Sequence, residues 1–127
     1  MDDSITLLYA GILAARDSDP AVSRTARLFQ DGLAKIAKKL AEEAVEVSLS
    51  AVQVQRGAVI LESADLLYNL CVLWAACDIA PADVAAEISR RQRIYGIAEK
   101  LPKKAVADRQ ERRLETTGPQ ADPARRI

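Results

Sequence analysis

The chain has 127 residues, with 18 Lys/Arg balanced by 18 Asp/Glu, and it contains no histidine. This is enough chain for one domain, and a half-apolar composition with only 4% aromatic residues and few Gly or Pro favours helices over a many-stranded β fold. Zero net charge offers no bulk attraction to nucleic acid or anionic membrane, and the missing imidazole excludes a serine triad, histidine-ligated zinc and a histidine general base.

In chain order, residues 4–15 read as a short apolar helix with Ser4 as its N-cap, broken by Asp17-Ser18-Asp19-Pro20. Residues 23–30 read as a short helix that ends near Asp31-Gly32. A long helical pattern without Gly or Pro then runs over 33–55, and Arg56-Gly57 interrupts it. A second long segment covers 58–78. Pro81 opens a last helix, with Asp83 in its first turn, where a negative charge suits the dipole, and Arg90, Arg91 and Arg93 at its basic end. Residues 1–98 are read as a single helical domain and 99–127 as a mobile charged tail. No apolar run is expected to span a bilayer, and Met1-Asp2-Asp3 is acidic where a signal peptide is basic, so a cytoplasmic protein is expected. Cys71 and Cys77 point to different faces of one helix and are expected to be buried structural thiols.

Helical wheels show where the carboxylates fall. In the helix from Leu33 the expected apolar stripe is Leu33, Ile36, Ala37, Leu40, Ala44, Val47, Ala51 and Val54. Glu43 lies at the edge of that stripe, with Lys39 and Glu46 beside it and Glu42 and Lys35 one step further round. The following helix is apolar on almost every side, which predicts burial, and its narrow polar line is Glu62, Asp65 and Asn69. Ionised carboxylates inside a bundle cost several kcal/mol each unless paired or bound to a metal. A hard divalent cation such as Mg²⁺ is the natural partner for an all-oxygen donor set. The plainer alternatives are a solvated face for Glu42, Glu43 and Glu46, and buried salt bridges from Glu62 and Asp65 to Lys35, Lys38, Lys39 or an arginine.

Glu43-Ala44-Val45-Glu46 followed by Glu62-Ser63-Ala64-Asp65 resembles the ExxE…ExxD signature of the all-α nucleotide pyrophosphohydrolases, the MazG-like superfamily. Within it, the run from Gly32 through Glu42-Glu43-Ala44-Val45-Glu46, and Glu62-Ser63-Ala64-Asp65-Leu66-Leu67-Tyr68-Asn69-Leu70, resemble the phosphoribosyl-ATP pyrophosphohydrolase family. The likeness extends over about residues 23–93. It implies an all-α antiparallel bundle, a four-helix arrangement completed by dimerisation. It also implies Mg²⁺-dependent cleavage of phosphoribosyl-ATP to phosphoribosyl-AMP and pyrophosphate, the second step of histidine biosynthesis. Two departures bear on substrate identity: Asn69 stands where the family often has histidine, and Ser23-Arg24-Thr25 where it often has Ser-Tyr-Thr.

The resulting expectation is that Glu43, Glu46, Glu62 and Asp65 ligate Mg²⁺, with Glu42 and Glu43 acting on the attacking water. Lys35, Lys39, Asn69, Arg90 and Arg91 are expected to bind the phosphorylated nucleotide, against intrahelical pairing for the lysines and a dipole-favouring helix end for the arginines. Tyr68 is read as a packing residue. A homodimer or higher homo-oligomer is expected, with no nucleic-acid or membrane partner. The competing functions are a housecleaning (d)NTP pyrophosphohydrolase on the same fold and a non-catalytic helical bundle.

Overall fold

The computed structural model describes residues 3–96. These form five α-helices and no strand: α1 (Ser4–Arg16), α2 (Arg24–Asp31), α3 (Leu33–Val52), α4 (Arg56–Ala76) and α5 (Pro81–Tyr95). The described residues divide into two compact units, the first ending at Val84 and the second beginning at Ala85, within α5. The tail expected from residue 99 lies outside the described residues.

The helix ends follow local chemistry. In α1 the N-cap is Asp3, and Ser4 is already the first helical residue, which corrects the expected cap. In α2, Ser23 is extended and its Oγ accepts the Ala26 N–H at 3.1 Å, satisfying one of the orphan donors of the first turn. Gly32 then serves two helices. Its φ of +96° turns the chain, its N–H donates to the Leu28 and Phe29 carbonyls, and its own carbonyl accepts the Ile36 N–H at 3.1 Å. A Cβ is strained at that φ, so a single glycine does what a longer loop would otherwise do.

The break between the two long helices differs from the expected one. Arg56 and Gly57 open α4, and the turn is Gln53–Gln55, with Val54 held at φ +56°. Val54 is exposed, so a β-branched residue sits in the left-handed region with no packing to offset it. At the other end of α4, Asp78 also takes a positive φ, and the Asp83 carboxylate accepts the Ala80 N–H at 2.8 Å as α5 begins.

The core of the first unit gathers Ile12 of α1, Leu28 of α2, Ile36 of α3 and Cys71, Val72 and Ala75 of α4. α4 packs against α1, α2 and α3. Burying each fully enclosed aliphatic side chain such as Val72 contributes about 2 kcal/mol. Two expectations are corrected here. α4 is long and apolar enough to cross a membrane by length and composition, so such a run does exist, and here it is the core helix of the unit. It is also buried only in its C-terminal half, because α1 and α2 cover that half while Ile60 and Leu61 near the start stay exposed. Of the cysteines, Cys71 is buried and Cys77, just past the end of α4, is exposed.

The buried line of α3 is Ile36, Glu43 and Ser50, each seven residues from the next. It is turned toward Glu43 relative to the expected apolar stripe, and Leu33, Ala37, Ala51 and Val54 are exposed. α3 thus presents polar side chains to the seam with α4, the most extensive helix contact of the fold.

Candidate active site on the seam of α3 and α4

Seven-residue spacing keeps Glu43 on the same side of α3 as Ile36, and packing against α4 leaves Glu43 only 5% exposed. Its carboxylate meets the Lys39 ammonium one turn earlier at 3.2 Å. That is the intrahelical pairing set out above as the alternative to a free lysine. Glu46, one turn later and exposed, has its carboxyl held above the usual range. The Glu43 charge is the main cause, followed by desolvation, a hydrogen bond with Glu43 and the charge of Glu62, with Lys39 opposing them. Three acids from two helices therefore share one electrostatic neighbourhood.

Glu62 is half-buried and accepts a hydrogen bond from Ser50 Oγ at 2.7 Å, which ties α4 to α3. Asp65, one turn on, is exposed. The buried Asn69, 1% exposed, donates from Nδ2 to the Asp65 backbone carbonyl at 2.8 Å. Its amide is engaged inside α4, and this conformation does not offer it to a substrate. Glu42 and Lys35 are exposed, and Glu42 shares an open hollow of about 430 Å³ with Lys38, Ala41, Val45 and Glu46.

The four-carboxylate cluster is thus partly assembled. Glu46 feels the charges of both Glu43 and Glu62, yet no three acids stand close enough to hold a metal among the described residues. Glu43 is paired with Lys39 and Glu62 with Ser50. The donor set remains all carboxylate oxygen, which suits a hard cation, and the repulsion that raises Glu46 is what a divalent ion relieves.

Arg90 and Arg91 are both engaged on α5 itself. Arg90 grips Glu87 with two bonds of 2.8 Å, and Arg91 Nε adds a third at 3.0 Å. The hydrogen bonds from Arg90 and then Arg91 hold the Glu87 carboxyl down to about 2. On the other flank of α4, Tyr68 packs against the core as expected, its hydroxyl 2.6 Å from Thr25 Oγ1 and its ring beneath the Arg24 guanidinium at 5.4 Å. Ser50 was missing from the sequence-based site. The signal for it is its position, four residues after Glu46 and seven after Glu43.

Residues 7–92 match the sequence family described as phosphoribosyl-ATP pyrophosphohydrolase, a span from α1 into α5 that contains the whole acidic seam. The chain belongs to that family. It is 63% identical over 106 residues to phosphoribosyl-ATP pyrophosphatase 2 of Rhodopseudomonas palustris, covering 84% of this chain and 81% of the relative. It is 61% identical over 106 residues to the protein of the same name from Bradyrhizobium diazoefficiens, covering 84% and 79%. With the phosphoribosyl-ATP pyrophosphatase of Azospirillum brasilense it shares 48% identity over 98 residues, 77% of this chain and 88% of that one. Family membership makes the chain a pyrophosphohydrolase, and the non-catalytic bundle is set aside.

Proposed function

We propose that this enzyme hydrolyses phosphoribosyl-ATP between its α- and β-phosphates, releasing phosphoribosyl-AMP and pyrophosphate in the second step of histidine biosynthesis, with Mg²⁺ held on the seam of α3 and α4. The observation that carries the site is that Glu43 and Glu46 of α3 and Glu62 of α4 meet at one seam, where the charges of Glu43 and Glu62 both raise the Glu46 carboxyl, in a family whose match spans all of them. Glu43, Glu46, Glu62 and Asp65 are the ligands in this reading. When bound, Mg²⁺ supplies charge neutralisation for the polyphosphate and acidifies water.

The protein's own groups do the rest. Glu42, exposed beside Glu46, orients the attacking water and accepts its proton. Lys35 and Lys39 bind phosphate oxygens as point charges, Lys39 exchanging its present bond to Glu43 for the substrate. Asn69 acts from behind, securing the turn of α4 that carries Asp65. The exposed apolar residues Val45 and Leu49 on α3 and Ile60 and Leu61 on α4 support a homodimer that covers this face, and the enzyme works in the cytoplasm.

Pyrophosphate release with Mg²⁺, comparing phosphoribosyl-ATP with ATP and the common dNTPs, tests the reading. Strong preference for phosphoribosyl-ATP is expected, and preference for a dNTP overturns the substrate assignment in favour of nucleotide-pool sanitation. Glu43→Gln and Asp65→Asn should each abolish turnover while the protein stays folded, and full activity in either removes that residue from the site.

A further inference from the structure

Ser50 forms a contact unlike that of its neighbour on the same helix. A serine inside a helix commonly returns its hydroxyl to the carbonyl four residues back, as Ser48 does to Ala44 at 2.8 Å. Ser50 instead sends its single hydroxyl proton across the seam to Glu62 Oε2 at 2.7 Å. Ser50 is also buried, 7% exposed, at a place where α3 otherwise sets an apolar side chain or Glu43 against α4. Alanine has the better helix propensity and leaves no polar atom to satisfy. The hydroxyl therefore has a use beyond building the helix.

That use is legible from its partner. The bond engages one of the two carboxylate oxygens of Glu62 and leaves the other outside it. Ser50 and Glu46 are one turn apart on α3, so fixing Glu62 to Ser50 sets it next to Glu46. Without the bond the glutamate is free to swing away from the like charges of Glu43 and Glu46.

We propose that Ser50 is a positioning residue for the divalent cation, holding Glu62 by Oε2 beside Glu46 so that Oε1 is free to ligate. This rests on the reading in which Glu62 is a metal ligand. Partners that orient ligands in this way typically change metal affinity by about 10–100-fold when removed.

The test is Mn²⁺ binding to the full-length protein, followed by the electron paramagnetic resonance of the free ion with Mg²⁺ as competitor, for wild type, Ser50→Ala, Ser50→Thr and Glu62→Gln. Ser50→Ala should weaken Mn²⁺ and Mg²⁺ binding by about 10-fold or more while the circular dichroism of the helices is unchanged. The Mg²⁺ concentration giving half-maximal pyrophosphate release should rise by the same factor, with KM for phosphoribosyl-ATP at saturating Mg²⁺ unaltered. Ser50→Thr keeps the hydroxyl and should restore binding. If Glu62→Gln loses the ion and Ser50→Ala binds it as wild type does, the proposal is overturned and the bond is only a clamp between helices. If Glu62→Gln itself binds normally, the underlying ligand assignment falls instead.

Discussion

Replacing Lys39 by methionine isolates what burying Glu43 costs. At 3.2 Å the bare attraction between the two charges is roughly 5 kcal/mol at an effective dielectric constant of 20, but most of it is offset by desolvation and solvent screening. Breaking a fully buried pair costs roughly 3–5 kcal/mol, because the survivor is left uncompensated, whereas exposed pairs contribute roughly 0.2–1 kcal/mol. The Glu43 side chain is 7% exposed and that of Lys39 36%, which places this pair between the two limits, at about 1–2 kcal/mol. In metal-free urea denaturation at pH 7 and fixed protein concentration, a slope of ~1.5 kcal/mol/M turns this into a midpoint about 1 M lower for Lys39→Met. Adding Glu43→Met to that variant removes the stranded charge and should recover the loss. A Lys39→Met midpoint equal to wild type refutes the reasoning, since Glu43 would then be adequately solvated without its lysine.

Glu46→Gln should stabilise the metal-free protein at pH 7. The folded state raises the Glu46 pKa, so the stability it contributes is present below the unfolded value of 4.5 and is lost as pH rises through the higher folded value. The gain should vanish in denaturation curves taken at pH 3.5, and a loss at pH 7 would contradict the repulsion assigned to Glu43. Val54→Gly should add about 0.5–1 kcal/mol in thermal or urea unfolding: left-handed backbone costs an exposed valine about 1–2 kcal/mol, and glycine returns part of that as unfolded-state entropy. An unchanged or lower stability would mean that the turn carries no strain. Ser23→Ala should cost about 1 kcal/mol by the same measurement through loss of the α2 cap, and a neutral result would mean that the Ala26 N–H finds water instead.

The helices were legible wherever a local device marks them, such as Ser23 and Gly32 around α2 and Pro81 with Asp83 at α5. The α3–α4 turn was not, because its strained residue is a valine and glycine is the usual signal. Gly57 drew the break three residues too late. For the site, spacing alone placed Glu43 at the buried edge and Glu62 on the facing helix. It missed how the seam is shared out, since a wheel averages over apolar residues and turns the buried line away from Glu43 and Ser50. Which acid takes a lysine, which takes a serine, and that Asn69 looks inward, all depend on contacts between helices that no single-helix pattern contains.

The seven-residue line of Ile36, Glu43 and Ser50 places chemistry and stability in competition for the same positions. Glu43 and Ser50 occupy places where leucine or alanine would seal two long helices together. A library of variants sorted only for heat resistance should therefore accumulate apolar residues at 43 and 50, and its most durable survivors should be catalytically dead. Selecting for turnover in parallel keeps the acidic seam open and leaves thermal gains to come from elsewhere, with Val54 the nearest place to find one.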